Sequence, residues 1–155
     1  RPMRLSPISK GPEKPATDSE RRMSFLIDTD IIIYSIKGDP AVQKNFKRNE
    51  KYPLSISAIT YGELLFGARK SSQVEKNLAI VFRIRELFPV INIDKPVVET
   101  FSELKATGQK TGSIVDDLDL LIASTALTHN LTLVSNNTKH FQKIKGLKLE
   151  NWTRS

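Results

Sequence analysis

Phe25-Leu26-Ile27-Asp28-Thr29-Asp30 is an apolar run that stops on two acids. The run opens a pattern in which short apolar strands alternate with helices. Ser24–Asp28 reads as a strand, and 30–36 as a helix that stops at Lys37-Gly38-Asp39-Pro40. Pro40 suits the first turn of a second helix over 41–47. Leu54–Ile56 is a second strand, followed by a helix that Ser57 or Thr60 caps and that runs to about Lys70. A long helix is expected over 71–87, with apolar spacing at Val74, Leu78, Val81 and Phe82. A third strand at 88–93, a helix at 96–109 ending near Gly108 or Gly112, and a helix from a cap at Asp116 to Thr128 follow. Strands at 131–135 and 147–150 close the chain. Strands separated by helices imply a central, mainly parallel sheet with helices on both faces, an α/β/α sandwich.

In such sheets ligand sites lie outside the carboxyl ends of the strands. Asp28 ends the first strand there, and burying a carboxylate is costly unless a positive charge pairs with it. No Lys or Arg lies within four residues of Asp28 or of Asp119. A divalent cation is the economical partner. Asp30 fits the cap of the helix starting at Ile31, which leaves Asp28 without that structural role. Glu63 lies three residues after Thr60, the spacing of a capping box. It also shares a helix face with Ile59, Phe66 and Gly67, which is apolar. Asp116, Asp117 and Asp119 crowd three acids into four residues. One acid suits the first turn of a helix and Asp116 is its natural cap. Asp119, at the edge of an apolar stripe running from Leu118 through Leu121, Ile122 and Thr125, is the first candidate for function and Asp117 the second. Asn136 and Asn137 are ordinary turn residues, yet they follow a strand's carboxyl end, where Ser135 can donate a hydrogen bond. His129 and His140 read as surface residues, and no Ser-His-Asp pattern exists.

Composition narrows the chemistry. The 155 residues suffice for one domain with its own core. No cysteine is present, which excludes disulfides, zinc-thiolate sites and thiol nucleophiles, and two histidines leave oxygen as the ligand atom. Oxygen ligands suit Mg²⁺, with Mn²⁺ as the alternative. The net charge is +7 despite the acids reserved for a cation, so the remaining surface favours an anionic partner such as RNA. No apolar run reaches membrane-spanning length and no signal-peptide pattern is visible, so the expected setting is the cytoplasm, without a membrane. Residues 1–22 carry four prolines, six basic and three acidic residues and almost no large apolar ones. They read as a disordered or extended extension, and Met23 as the natural start of a folded domain over 23–155.

Taken in order, 25–30, Ser57-Ala58-Ile59-Thr60-Tyr61-Gly62-Glu63-Leu64, 119–126, Leu133-Val134-Ser135-Asn136-Asn137-Thr138-Lys139-His140-Phe141, and Gly146-Leu147 with Glu150-Asn151-Trp152 resemble the PIN-domain family, specifically its VapC-type toxin ribonucleases from bacterial toxin–antitoxin systems. The resemblance covers Met23 to about Trp152. It implies a PIN-like three-layer α/β/α fold and a Mg²⁺- or Mn²⁺-dependent endoribonuclease that hydrolyses phosphodiesters in RNA, structured RNA such as tRNA included. Residue by residue it implies Asp28, Glu63 and Asp119 as metal ligands, assisted by Asp117 and by Asn137, or by Asn136 if the register slips. With an amide at the fourth position, one well-held ion is expected. Val115 stands where relatives often have Gly. The resemblance also implies a VapB-like antitoxin partner, operator DNA reached only through that antitoxin, and a homodimer. The competing class is a PIN-like binding module that acts mainly in a DNA-bound antitoxin complex, with little or no catalysis.

Overall fold

A computed structural model describes residues 23–154. The expected extension over 1–22 lies outside the described residues. The element order is β1 (Phe25–Ile27), α1 (Thr29–Ile36), α2 (Pro40–Arg48), β2 (Leu54–Ser57), α3 (Ala58–Arg69), α4 (Val74–Leu87), β3 (Val90–Ile91), α5 (Lys95–Thr111), α6 (Asp117–Thr128), β4 (Thr132–Val134), α7 (Thr138–Phe141) and β5 (Leu149–Glu150). The five strands form one sheet in the order β3-β2-β1-β4-β5, and every pairing is parallel.

Side-chain alternation along the strands builds the two cores. Phe25, Ile27 and Val134 point to one face and meet Ile31 and Ile32 of α1, Val42 of α2, Leu64 of α3 and Ile84 of α4. Leu26 and Leu133 point to the other and meet Leu120, Ile122, Ala123 and Ala126 of α6 and Phe141 of α7. The result is the expected three-layer sandwich. Trp152 seals the first core edge-on against Phe25 and Phe46, with ring centroids 5.2 and 5.1 Å away. Asn45 Nδ2 donates to the carbonyls of Trp152 and Arg154, at 3.0 and 3.1 Å, and so pins the C-terminal segment beside α2.

Several local expectations change. Asp28, not Asp30, is the N-cap of α1 and accepts from the Thr29 amide. Helix α4 begins at Val74 rather than Ser71. Helix α5 ends at Gly112, whose φ of 76° is left-handed and natural only for glycine. Helix α7 was not expected at all. The buried stripe of α6 runs through Leu120, Ala123 and Ala126, while Leu118 is exposed. Chain order also matters more than the strand lengths do. From β1 the chain moves outward to β2 and β3, then crosses back to β4 on the other side of β1. The sheet order therefore reverses between β1 and β4, the switch point outside whose carboxyl ends ligands bind in such sheets.

Candidate metal and active site

The carboxyl ends of β1 and β4 are tied together at that switch point. The Asp28 amide donates to the Val134 carbonyl at 2.9 Å. Its side chain turns to the same end: Oδ1 accepts from the Thr29 amide at 2.8 Å and Oδ2 from the Ser135 hydroxyl at 2.7 Å. Ser135 is fully buried and its Oγ also accepts from the Asn137 amide at 2.9 Å. Asp28 is therefore fixed in place, and only 6% of its surface is exposed. Burial, with Asp30 next, pushes its carboxyl up to about 7, against the smaller opposing effect of its hydrogen bonds. Asp119 raises it further.

Glu63 enters from α3. Ser57 caps that helix through the Thr60 amide at 3.0 Å, so the first turn begins at Ala58 and Glu63 lies in the second turn. A capping box from Thr60 to Glu63 does not form. Glu63 instead faces β1: its Oε1 accepts from the Thr29 hydroxyl at 2.7 Å. Its helix face is less buried than its composition implies, since Phe66 is 65% exposed.

Asp119 enters from the first turn of α6, half-buried. Burial raises its pKa first, then the charges of Asp116 and Glu63, while His140 lowers it. Asp119 thus lies within electrostatic range of both Asp28 and Glu63 at the end of the sheet. Asp117 does not join them. Two residues from Asp119 on a helix, it points elsewhere, and both its oxygens take the Lys105 ammonium, at 3.0 and 3.1 Å, on an exposed face. Asp116 is the cap of α6, as expected, and accepts from the Leu118 amide at 3.3 Å. Asn137 lies beside Ser135 through its backbone, and its side chain amide meets His140 Nδ1 at 3.1 Å. Asn136 has its carboxamide engaged with Tyr34, Asn151 and Thr153.

Asp30 was read as a cap and proves part of this cluster. One of its oxygens accepts from the Asn136 amide at 3.0 Å, and the other, Oδ1, is buried with no partner. Burial raises its pKa. His140, read as a bystander, faces Asp119. The signal for both was weak: Asp30 had a plausible structural role, and His140 belongs to the helix that sequence periodicity missed.

The donor set suits a hard divalent cation. It is oxygen-rich, no Lys or Arg ion pair with Asp28, Asp30, Glu63 or Asp119 appears among the described residues, and it holds one buried carboxylate with a raised pKa and one buried carboxylate oxygen without a partner. Among the described residues no three carboxylate or imidazole groups already stand close enough to hold an ion together. Glu63 and Asp119 are both less buried than Asp28. None of the three acids lines the cavity of about 310 Å³ between α5 and α6.

Comparison with known proteins agrees. The PIN domain model matches residues 25–147. The tRNA(fMet)-specific endonuclease VapC of Shigella flexneri is 33% identical over 132 residues, covering 84% of this chain and 99% of that protein. Ribonuclease VapC2 of Rickettsia felis is 34% identical over 134 residues, covering 85% and 100%. The crystal structure of VapBC2 from Rickettsia felis bound to a DNA fragment from their promoter superposes with a TM-score of 0.79 at 32% identity, covering 84% of this chain and 99% of that one. VapBC-1 from nontypeable Haemophilus influenzae gives 0.78 at 31% identity, covering 85% and 100%. The chain therefore belongs to the PIN-domain family, among its VapC ribonucleases.

Proposed function

We propose that this chain is a divalent-cation-dependent endoribonuclease, the toxin of a pair neutralised by a VapB-like antitoxin, with tRNA as its substrate class. The observation that carries the reading is the buried Asp28 carboxylate at the β1/β4 switch point, linked through Thr29 to Glu63 and electrostatically to Asp119, with no Lys or Arg ion pair to any of the three among the described residues. Asp28, Glu63 and Asp119 would hold Mg²⁺ or Mn²⁺, and Asp30 adds negative charge behind Asp28. When bound, such an ion polarises a phosphodiester and lowers the pKa of water. The protein's own part is to fix the acids. Thr29 and Ser135 orient Asp28, α3 presents Glu63, and the first turn of α6 presents Asp119. Asn137 supports this set through Ser135, and Asp117 has no part in it.

Substrate and partner rest on likeness. The Shigella flexneri relative is named as tRNA(fMet)-specific, and solved VapBC complexes from Rickettsia felis and Salmonella typhimurium contain DNA. Operator DNA is accordingly reached through the antitoxin. Exposed Lys44, Lys47, Arg48, Arg69, Lys70, Lys139 and Lys143 supply positive surface for an RNA backbone. A homodimer gains little from α1, because Ile31 and Ile32 are buried, Tyr34 and Ile36 pack on the core and only Ile33 is exposed. Among the described residues no helix is long and apolar enough to cross a membrane.

The binding-module reading draws on the spread of the acids and on the DNA-bound neighbours. One experiment separates the two. Total RNA and purified tRNA are incubated with the chain in Mg²⁺, Mn²⁺ or EDTA, and the new RNA ends are sequenced. Ion-dependent cleavage within tRNA, absent in Asp28→Asn, is the expected result. No cleavage by the parent with either ion, and no ion-dependent thermal stabilisation, overturns the nuclease reading.

A further inference from the structure

Thr29 bridges Asp28 and Glu63. Its backbone amide donates to Asp28 Oδ1 at 2.8 Å, and its hydroxyl lies 2.7 Å from Glu63 Oε1 and 3.1 Å from Thr60 Oγ1. A hydroxyl has one proton to donate. An ionised Glu63 has none, so the Thr29 proton goes to Glu63, and Thr60, fully buried, must donate its own proton to Thr29. The order is Thr60 to Thr29 to Glu63. It runs from the first turn of α3 across to the first residue of α1 and back to the second turn of α3. Thr60 is itself fixed, because the Ser57 cap accepts its amide at 3.0 Å.

This chain of hydroxyls engages one oxygen of Glu63, and among the described residues Oε2 has no hydrogen-bond donor. Asp28 by contrast has both oxygens engaged, by Thr29 and Ser135. A glutamate has three rotatable side-chain bonds, and the Thr29 hydroxyl supplies a side-chain hydrogen bond that fixes Glu63. Without a donor the Glu63 carboxylate would swing into solvent. We infer that Thr29, through its hydroxyl, is a positioning residue for Glu63: it sets that carboxylate against Asp28 so that its free oxygen faces the cation. Thr60 supports it one step back. This rests on the metal-dependent reading given above. It goes beyond that reading in naming a neutral residue that touches neither ion nor RNA and still sets the affinity for the ion.

The test compares Thr29→Val, which keeps the shape and removes the hydroxyl, with Thr29→Ser, which keeps the hydroxyl. Mn²⁺ binding is measured by titration calorimetry on the full chain without RNA, and the ion concentration for half-maximal cleavage is measured beside it. Supporting partners of metal ligands are typically worth 10–100-fold in affinity. The expected outcome is Mn²⁺ binding weakened about tenfold or more in Thr29→Val, with a matching rise in the ion needed for cleavage. Thr29→Ser should return both to within about twofold of the parent. Unchanged binding in Thr29→Val overturns the inference. So does a Thr29→Ser protein as weak as Thr29→Val, because the methyl group would then be what matters. If Thr29→Val does not fold, Thr29→Ala against Thr29→Ser is read the same way. A parent that binds no Mn²⁺ and cuts no RNA sinks the nuclease reading itself, whereas a parent that binds with an indifferent Thr29→Val sinks only the role of Thr29.

Discussion

Two acid-rich stretches, 28–30 and 116–119, look equivalent along the chain and behave in opposite ways. At the end of β1 the carboxylates are buried or half-buried, no Lys or Arg ion pair reaches them among the described residues, and burial raises the pKa of both Asp28 and Asp30. In the first turn of α6 two of three acids have ordinary structural employment: Asp116 caps the helix and Asp117 pairs with Lys105. Asp119 turns inward, and burial raises its pKa. Acid density along a chain therefore says little. What marks a site is a carboxylate kept from water without a compensating charge, because only a functional demand keeps such an arrangement in place.

The contrast breaks most sharply at Asp28. Asp28→Asn should lower RNA cleavage at least a hundredfold while the protein stays folded, since Asn keeps an oxygen for the Thr29 amide and Ser135 can reorient its hydroxyl. Metal-free stability should rise. The folded-state pKa of about 7 exceeds the ordinary 3.8. The cost of the buried charge is therefore present above pH 7, shrinks as pH falls through 7, and is gone below the ordinary value. At pH 8 it amounts to roughly 2–4 kcal/mol. In EDTA the parent should thus gain stability between pH 8 and pH 5, and Asp28→Asn should be nearly flat over that range. Parallel denaturation curves for the two proteins across pH would show that Asp28 is not held as described.

Glu63→Gln comes next. Gln keeps an oxygen for the Thr29 hydroxyl and loses the charge, so cleavage should fall tenfold or more with the unfolding temperature close to that of the parent. Full activity would leave Glu63 only its hydrogen bond. Asp119→Asn should also lose most activity, with a smaller gain in stability than Asp28→Asn because Asp119 is less buried. Equal gains would mean that burial does not separate the two stretches.

The fold was legible because its signals are local and repeated. Apolar runs ending on turn residues marked each strand, and their alternation with helices implied the parallel sheet. What failed to show was local structure without a period. Helix α7 has four residues, too few for a 3.6-residue pattern to emerge. The capping role read for Asp30 falls to Asp28, because a two-residue shift of a helix start lies below the resolution of capping rules. The three acids of the site were readable from their places beside apolar runs and from likeness to a family. Thr29, Thr60 and the partnerless oxygen of Asp30 were not, because they depend on which side chains meet across 31 or more residues of chain.

Asp117 carries the smallest expected effect and the cleanest test of the comparison. From sequence it was the second candidate in its stretch, and likeness to relatives made it an assistant at the metal. In the fold it is exposed, on the side of α6 that faces α5, with Lys105 on both oxygens. An exposed ion pair of this kind is worth at most about 1 kcal/mol and is screened by salt. Asp117→Asn should leave kcat/KM within about twofold of the parent and lower stability by less than about 1 kcal/mol, with the difference fading at high salt. Lys105→Met should do the same, and the double substitution should cost no more than either alone, as expected when both remove one contact. A large loss of cleavage in Asp117→Asn with Lys105→Met silent would return Asp117 to the site. It would mean that the first turn of α6 rearranges when the ion or RNA binds, so that the exposed acid released by Lys105 moves inward.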